Sequence, residues 1–171
     1  MLKLFLLRHA KSDWNLYDGN DFERDVSQLG LKKTNALGEY IKANKLDVDQ
    51  ILCSPSVRTK KTLEIILNFF NSNPEVKFID ELYHIFNVEI LEVVKKYAKK
   101  KSVMVISHEP KLSSSIQDFS TETNNQFFIN SQEKFPTSSL FQIKFSTNKW
   151  NQISKYNSKI INFIRPKDLN F

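Results

Sequence analysis

Very little in this chain can form a disulfide, a glycine-rich loop or a membrane span. There is one cysteine among 171 residues, which excludes a disulfide framework within the chain. Cys53, set in Asp49-Gln50-Ile51-Leu52-Cys53-Ser54, reads as a small buried strand residue. With three glycines in total, no Gly-rich phosphate loop can be written, and this disfavours a P-loop or dinucleotide site. No stretch approaches the roughly 20 apolar residues of a bilayer span, and the opening apolar run is too short for a signal-peptide core. The expectation is a cytoplasmic protein without a membrane partner. Five prolines and few glycines also leave no linker, so the length fits a single domain over residues 1–171 that buries roughly 70% of its unfolded surface.

Charge is not scarce, but it is dispersed. The formal net charge is +6, with lysines in ones and twos except at Lys95-Lys96 and Lys99-Lys100-Lys101. Those clusters close a predicted helix, where cations suit the negative end of the helix dipole. No basic face for nucleic acid is expected, and no apolar patch argues against a monomer.

The first fifteen residues organise what is present. Leu4-Phe5-Leu6-Leu7 is an apolar run broken by Arg8-His9, which fits a strand covered on both faces whose carboxyl end carries charge. Open α/β sheets place their ligands at such ends. Trp14 to Gln28 reads as a loop over the sheet, with Trp14 as a packing lid, and Ser27 as the cap of a helix reaching about Asn44. Gly38 inside that helix predicts close packing against a neighbour.

The next unit reads strand, turn, helix. Ile51-Leu52-Cys53 is the strand, Ser54 the N-cap, and Pro55 the first helical residue. Arg58 then falls in the first turn, where a cation opposes the dipole unless an anion lies between them. A short strand at Val76 to Ile79 and a helix capped by Asn87 follow. Val103-Met104-Val105-Ile106 is a further buried strand ending in Ser107-His108-Glu109, and Pro110 opens another helix. Thr121 to Lys134 reads as a polar surface loop. The alternating Leu140 to Phe145 and the run Ile160 to Ile164 form an antiparallel hairpin at one edge. The expected class is therefore α/β, a three-layer sandwich around a mostly parallel sheet with an antiparallel edge.

Three strand ends carrying Arg8-His9, Arg58 and His108 converge on one side of such a sheet. Two guanidinium forks and a helix N-terminus suit a phosphate dianion, and neutral imidazole is a nucleophile near pH 7. His9, between Arg8 and the small Ala10, is the expected nucleophile. Arg8, Arg58 and a protonated His108 would stabilise the equatorial oxygens. His84 reads as structural.

Leu7-Arg8-His9-Ala10-Lys11-Ser12, Ser54-Pro55-Ser56-Val57-Arg58-Thr59 and Ser107-His108-Glu109-Pro110 resemble signatures of the histidine phosphatase superfamily, in particular its small SixA-type phosphohistidine phosphatases. Asp21-Phe22-Glu23-Arg24 with Leu29-Gly30, Asp80-Glu81-Leu82-Tyr83, Phe135-Pro136-Thr137 and Arg165-Pro166-Lys167-Asp168-Leu169 extend the resemblance along the chain. It implies a phosphoglycerate-mutase-like fold and a metal-independent, cofactor-free phosphatase with a phospho-His9 intermediate. It also implies Asn15 as a phosphate ligand and a phosphohistidine protein as substrate. Where the superfamily has Gly-His-Asn, this chain has Ser107-His108-Glu109. Glu81 is the positional candidate for the general acid. Two other readings stay open: a phosphatase for small phosphorylated metabolites, and a phosphate-binding module without turnover.

Overall fold

The computed structural model describes residues 1–16 and 18–170. Its centre is a six-stranded sheet made of β1 (Leu2–Arg8), β2 (Gln50–Cys53), β3 (Glu75–Phe78), β4 (Ser102–Ser107), β5 (Leu140–Phe145) and β6 (Ser158–Ile164). The strand order is β3-β2-β4-β1-β5-β6. The first four of these run parallel, with β2 pairing β3 and β4, and β4 pairing β1. The β5–β6 hairpin continues the sheet antiparallel from β1, with a register irregularity between Gln142 and Ile143.

Period-two alternation divides the strands between two cores. Leu4, Leu6, Val103 and Val105 face one apolar cluster, and Phe5, Leu7, Met104 and Ile106 face the other. The first cluster is covered by α3 (Ile90–Tyr97), α4 (Lys111–Phe119) and α5 (Gln126–Glu133), the second by α1 (Gln28–Ala43) and α2 (Val57–Leu67). This is the three-layer sandwich expected from a chain whose strands are apolar on both sides. Gly38 does mark a close approach, because a Cβ there would run into the Phe69 ring.

Three local expectations need correction. α5 lies inside the segment 121–134 that reads as a loop. Its apolar content is confined to Phe127, Phe128 and Ile129, but Phe128 and Ser131 are buried and the Asn125 side chain caps the helix through the Phe127 N–H. Asn87 is not the cap of α3, since Glu89 holds that position without a side-chain bond. The cap of α2 is Ser56 rather than Ser54, because the Ser54 hydroxyl is engaged elsewhere, and Pro55 accordingly precedes the helix rather than opening it. No described helix is long and apolar enough to cross a membrane.

Candidate active site

Because β2, β4 and β1 are parallel neighbours, their carboxyl ends open on one edge and carry the expected side chains together. Arg8, His9, Arg58 and His108 line one pocket of about 480 Å³. His9 follows β1 and is 5% exposed. Its Nδ1–H donates to the Ala10 carbonyl at 2.7 Å, so the lone pair sits on Nε2, turned toward Arg58. The Arg58 Nε–H points at that nitrogen from 3.4 Å. Burial, reinforced by Arg58, Arg8 and Arg24, lowers the His9 pKa to about 3. The ring is therefore neutral and nucleophilic at pH 7.

The backbone around His9 is held by groups anchored on α1 and α2. The Ala10 N–H donates to Thr62 Oγ1 on α2 at 2.8 Å. The Ser138 N–H is shared between the carbonyls of Arg8 and His9 at 3.1 and 3.2 Å. Ser138 holds a left-handed φ of 57° to do so, a conformation unfavourable for a residue with a Cβ. Its hydroxyl is bound by Thr34 of α1 at 2.7 Å.

Arg58 is 1% exposed. Its Nη1 donates to the Asp21 carbonyl at 2.8 Å, and Nη2 to Asp21 Oδ2 at 3.1 Å and His108 Nδ1 at 3.2 Å. Since His108 Nδ1 accepts, its Nε2–H donates to Ser54 Oγ at 2.7 Å. The ring is 5.1 Å from that of His9, centre to centre. Burial first, then His9 and Arg58, hold His108 well below the ordinary histidine range. His108 is thus neutral here, against the protonated form expected from the sequence. A phosphate dianion among these groups would oppose that shift by supplying the opposite charge.

Arg8 donates through Nη1 to the Phe135 carbonyl at 2.8 Å, while its buried Nε has no partner among the described residues. A buried guanidinium N–H without an acceptor is costly, and an oxyanion in this pocket would satisfy it.

The remaining predicted residues are elsewhere. Asn15 is exposed and outside the pocket lining, its own N–H turned back to Asp13 Oδ1 at 2.9 Å. The short helical turn 14–16 points it away, and Lys11, Ser12 and Trp14 form that wall instead. Trp14 stays 61% exposed, with the Arg24 guanidinium stacked on its ring at 3.7 Å. Glu81 also lies outside the pocket lining and accepts from Tyr97 OH at 3.2 Å.

Two residues enter the site that the sequence reading left out. Asp21 bridges Arg24 at 2.9 Å and Arg58 at 3.1 Å, and it accepts the Tyr83 hydroxyl. Burial works to raise its carboxyl, but Tyr83 and Arg58 outweigh it and hold the pKa at about 2. His84 lines the pocket rather than serving only as packing, with Nε2 3.6 Å from Asp21 Oδ2. The sequence signal for Asp21 was its place in the motif Asp21-Phe22-Glu23-Arg24, and for His84 its place beside Tyr83 just after Asp80-Glu81-Leu82.

The sequence model of the histidine phosphatase superfamily (branch 1) matches residues 4–86, a span that includes Arg8, His9 and Arg58. The phosphohistidine phosphatase SixA of Escherichia coli (strain K12) is 25% identical over 112 residues, covering 64% of this chain and 68% of that protein. An uncharacterised protein of Mycobacterium leprae (strain TN) is 22% identical over 166 residues, covering 94% of this chain and 100% of that protein. A solved structure of the protein histidine phosphatase SixA complexed with tungstate superposes with a TM-score of 0.76 at 20% identity, over 98% of this chain and 99% of that one. The sandwich is thus of the phosphoglycerate-mutase-like kind.

Proposed function

From the match of residues 4–86 to the histidine phosphatase superfamily and the likeness to SixA, we propose that the chain belongs to that superfamily and is a protein phosphohistidine phosphatase working through a phosphorylated His9. The observation that carries the reading is the neutral His9 Nε2 facing the Arg58 guanidinium 3.4 Å away, in a pocket shared with Arg8 and His108. Phosphate entering there meets two guanidinium groups and an imidazole, one of whose nitrogens already accepts from Arg58.

In the first step the His9 Nε2 lone pair attacks phosphorus in line, and the bond to the leaving nitrogen breaks with its electron pair. Arg8 and Arg58 hold the equatorial oxygens, and these contacts strengthen as charge develops. In the second step a water oxygen attacks the phospho-His9 phosphorus, releasing inorganic phosphate and restoring the neutral ring. The Ala10 carbonyl, fixed by Thr62 on the adjacent N–H, keeps Nδ1 protonated and Nε2 available throughout. The guanidinium charge makes a metal unnecessary to this route.

A phosphohistidine on a protein is supported as substrate by two features. Imidazole is a better leaving group than an alkoxide, so its expulsion needs less acid assistance. The pocket mouth is rimmed by exposed Trp14 and by Lys11, leaving room for a side chain borne on a larger molecule.

Replacing His9 with alanine should abolish the acid-labile phosphoenzyme and all phosphate release, from both a phosphohistidine protein and p-nitrophenyl phosphate. Turnover surviving in H9A overturns the reading. Comparing kcat/KM for the phosphohistidine protein with that for sugar and nucleotide phosphates tests the substrate class, and a preference for the small molecules would reassign it.

A further inference from the structure

The pocket wall carries a third histidine, His84, for which phosphate binding has no use. His84 lines the cavity, its ring 5.2 Å from that of His108 and 4.5 Å from that of Tyr83. Its Nε2 lies 3.6 Å from Asp21 Oδ2, and 33% of its side chain remains exposed, so water and substrate can reach it. Asp21 is itself held by Arg24, Arg58 and Tyr83, which fixes the carboxylate that faces the imidazole.

The other histidines and the Glu109 carboxylate of the pocket each have a bonding partner or a role in phosphoryl transfer. His9 Nε2 is the nucleophile. Both nitrogens of His108 are bonded, Nδ1 to Arg58 and Nε2 to Ser54. The Glu109 carboxylate accepts the Ser113 N–H at 2.7 Å in the first turn of α4, and Glu81 is bonded to Tyr97 outside the cavity. A histidine backed by an anchored carboxylate is left at the mouth.

We propose that His84 is the proton-transfer residue of this phosphatase, with Asp21 as its positioning residue. The proposal rests on the phospho-His9 reading. As the P–N or P–O bond breaks toward the leaving atom, the imidazolium of His84 gives that atom a proton. As water then attacks phospho-His9, the neutral ring takes a proton from the attacking water, and the phosphate leaves. Protons balance over the two steps, and Asp21 stabilises the imidazolium between them.

The groups facing His84 are Asp21 and Arg24 from the 21–24 turn, Arg58 of α2, His108 after β4, Lys111 of α4 and the Tyr83 phenol. Burial, with the three cations, holds the ring below the ordinary histidine range against Asp21. A bound phosphate dianion adds negative charge and draws a proton onto the ring with the substrate. The ring is thereby an acid in the complex and a base once the leaving group has gone.

The test uses H84Q and D21N enzymes with p-nitrophenyl phosphate and glycerol 2-phosphate, quenched in acid on the millisecond to second scale. With glycerol 2-phosphate, whose alkoxide needs a proton, kcat should fall about 10²-fold or more in H84Q. With p-nitrophenyl phosphate, His9 should still be phosphorylated within about threefold of the normal rate, because that leaving group needs no acid. The phosphoenzyme should then persist, and the acid limb of the wild-type breakdown rate should vanish. D21N should shift that limb without removing it. H84Q enzyme that melts with the wild type yet breaks down phospho-His9 at the wild-type rate and pH profile overturns the proposal, as does the same loss appearing in E109Q instead. Absence of any phosphoenzyme in the wild type overturns the phospho-His9 reading as well.

Discussion

At the scale of single residues, Arg58 is where the physics is most concentrated. A cation in the first turn of α2 opposes the helix dipole, and it is buried as well. Its cost is met by Asp21, whose carbonyl and carboxylate take both terminal nitrogens. Replacement by lysine keeps the charge and removes the fork. One ammonium cannot reach Asp21, His108 and a phosphate oxygen together. R58K should lower kcat/KM by about 10²-fold, near 3 kcal/mol of transition-state stabilisation, and weaken inhibition by inorganic phosphate in parallel. Steady-state kinetics with phosphate as competitor checks it, and unchanged phosphate inhibition would mean that the fork does not hold the anion. The conflict between Arg58 and its dipole was readable from the sequence alone. The roles of Asp21 and His84 were not, because each acquires its meaning from partners far along the chain: Asp21 stood only within the motif Asp21-Phe22-Glu23-Arg24, and nothing local ties either residue to Arg58 or to the other.

At the scale of elements, the apolar runs were legible because burial on both faces of a parallel sheet leaves no polar positions to confuse the period. β1, β4 and the β5–β6 hairpin lie within two residues of their expected bounds. α5 escaped for the opposite reason. It buries mainly Phe128 and Ser131, too narrow a stripe to stand out among asparagines and glutamines. Gly30 illustrates contact between elements. A Cβ there would meet the Lys11 carbonyl oxygen and the Val26 side chain, and the Ser27 N–H is bonded to that same Lys11 carbonyl at 2.8 Å. α1 therefore presses directly on the backbone two residues beyond His9. G30A should cost about 1–3 kcal/mol through overpacking against main chain, in spite of alanine's better helix propensity. Thermal melting measures the loss. Phosphatase activity should fall further than unfolding accounts for, since the displaced segment carries the pocket wall at Lys11 and Ser12. A G30A enzyme as stable as the wild type would show that the loop gives way freely.

At the scale of the whole molecule, convergence of the site costs stability in acid. The parallel order β2-β4-β1 brings three strand ends to one edge, and with them His9 and His108, both buried and neutral. The folded pKa of His9 is about 3, whereas an unfolded histidine titrates near 6.5. Between those values the unfolded chain binds the extra proton, so stability rises with pH, is complete above about 6.5 and is lost as pH falls toward 3. At pH 5 the loss from His9 alone is about 2 kcal/mol, and His108, shifted in the same direction, adds to it. Asp21 acts only lower down: with its folded pKa at about 2, its contribution is kept above the ordinary carboxylate value and lost below it. Urea midpoints should therefore decline steadily from pH 7 to pH 5.5, above the range in which ordinary carboxylates titrate. H9Q, which removes one titrating ring while keeping a polar side chain, should flatten that slope by about one third to one half, the shift of one of the two buried rings. An H9Q slope equal to that of the wild type would mean that His9 is protonated in the native pocket. The neutral nucleophile on which phosphoryl transfer depends would then be lost with it.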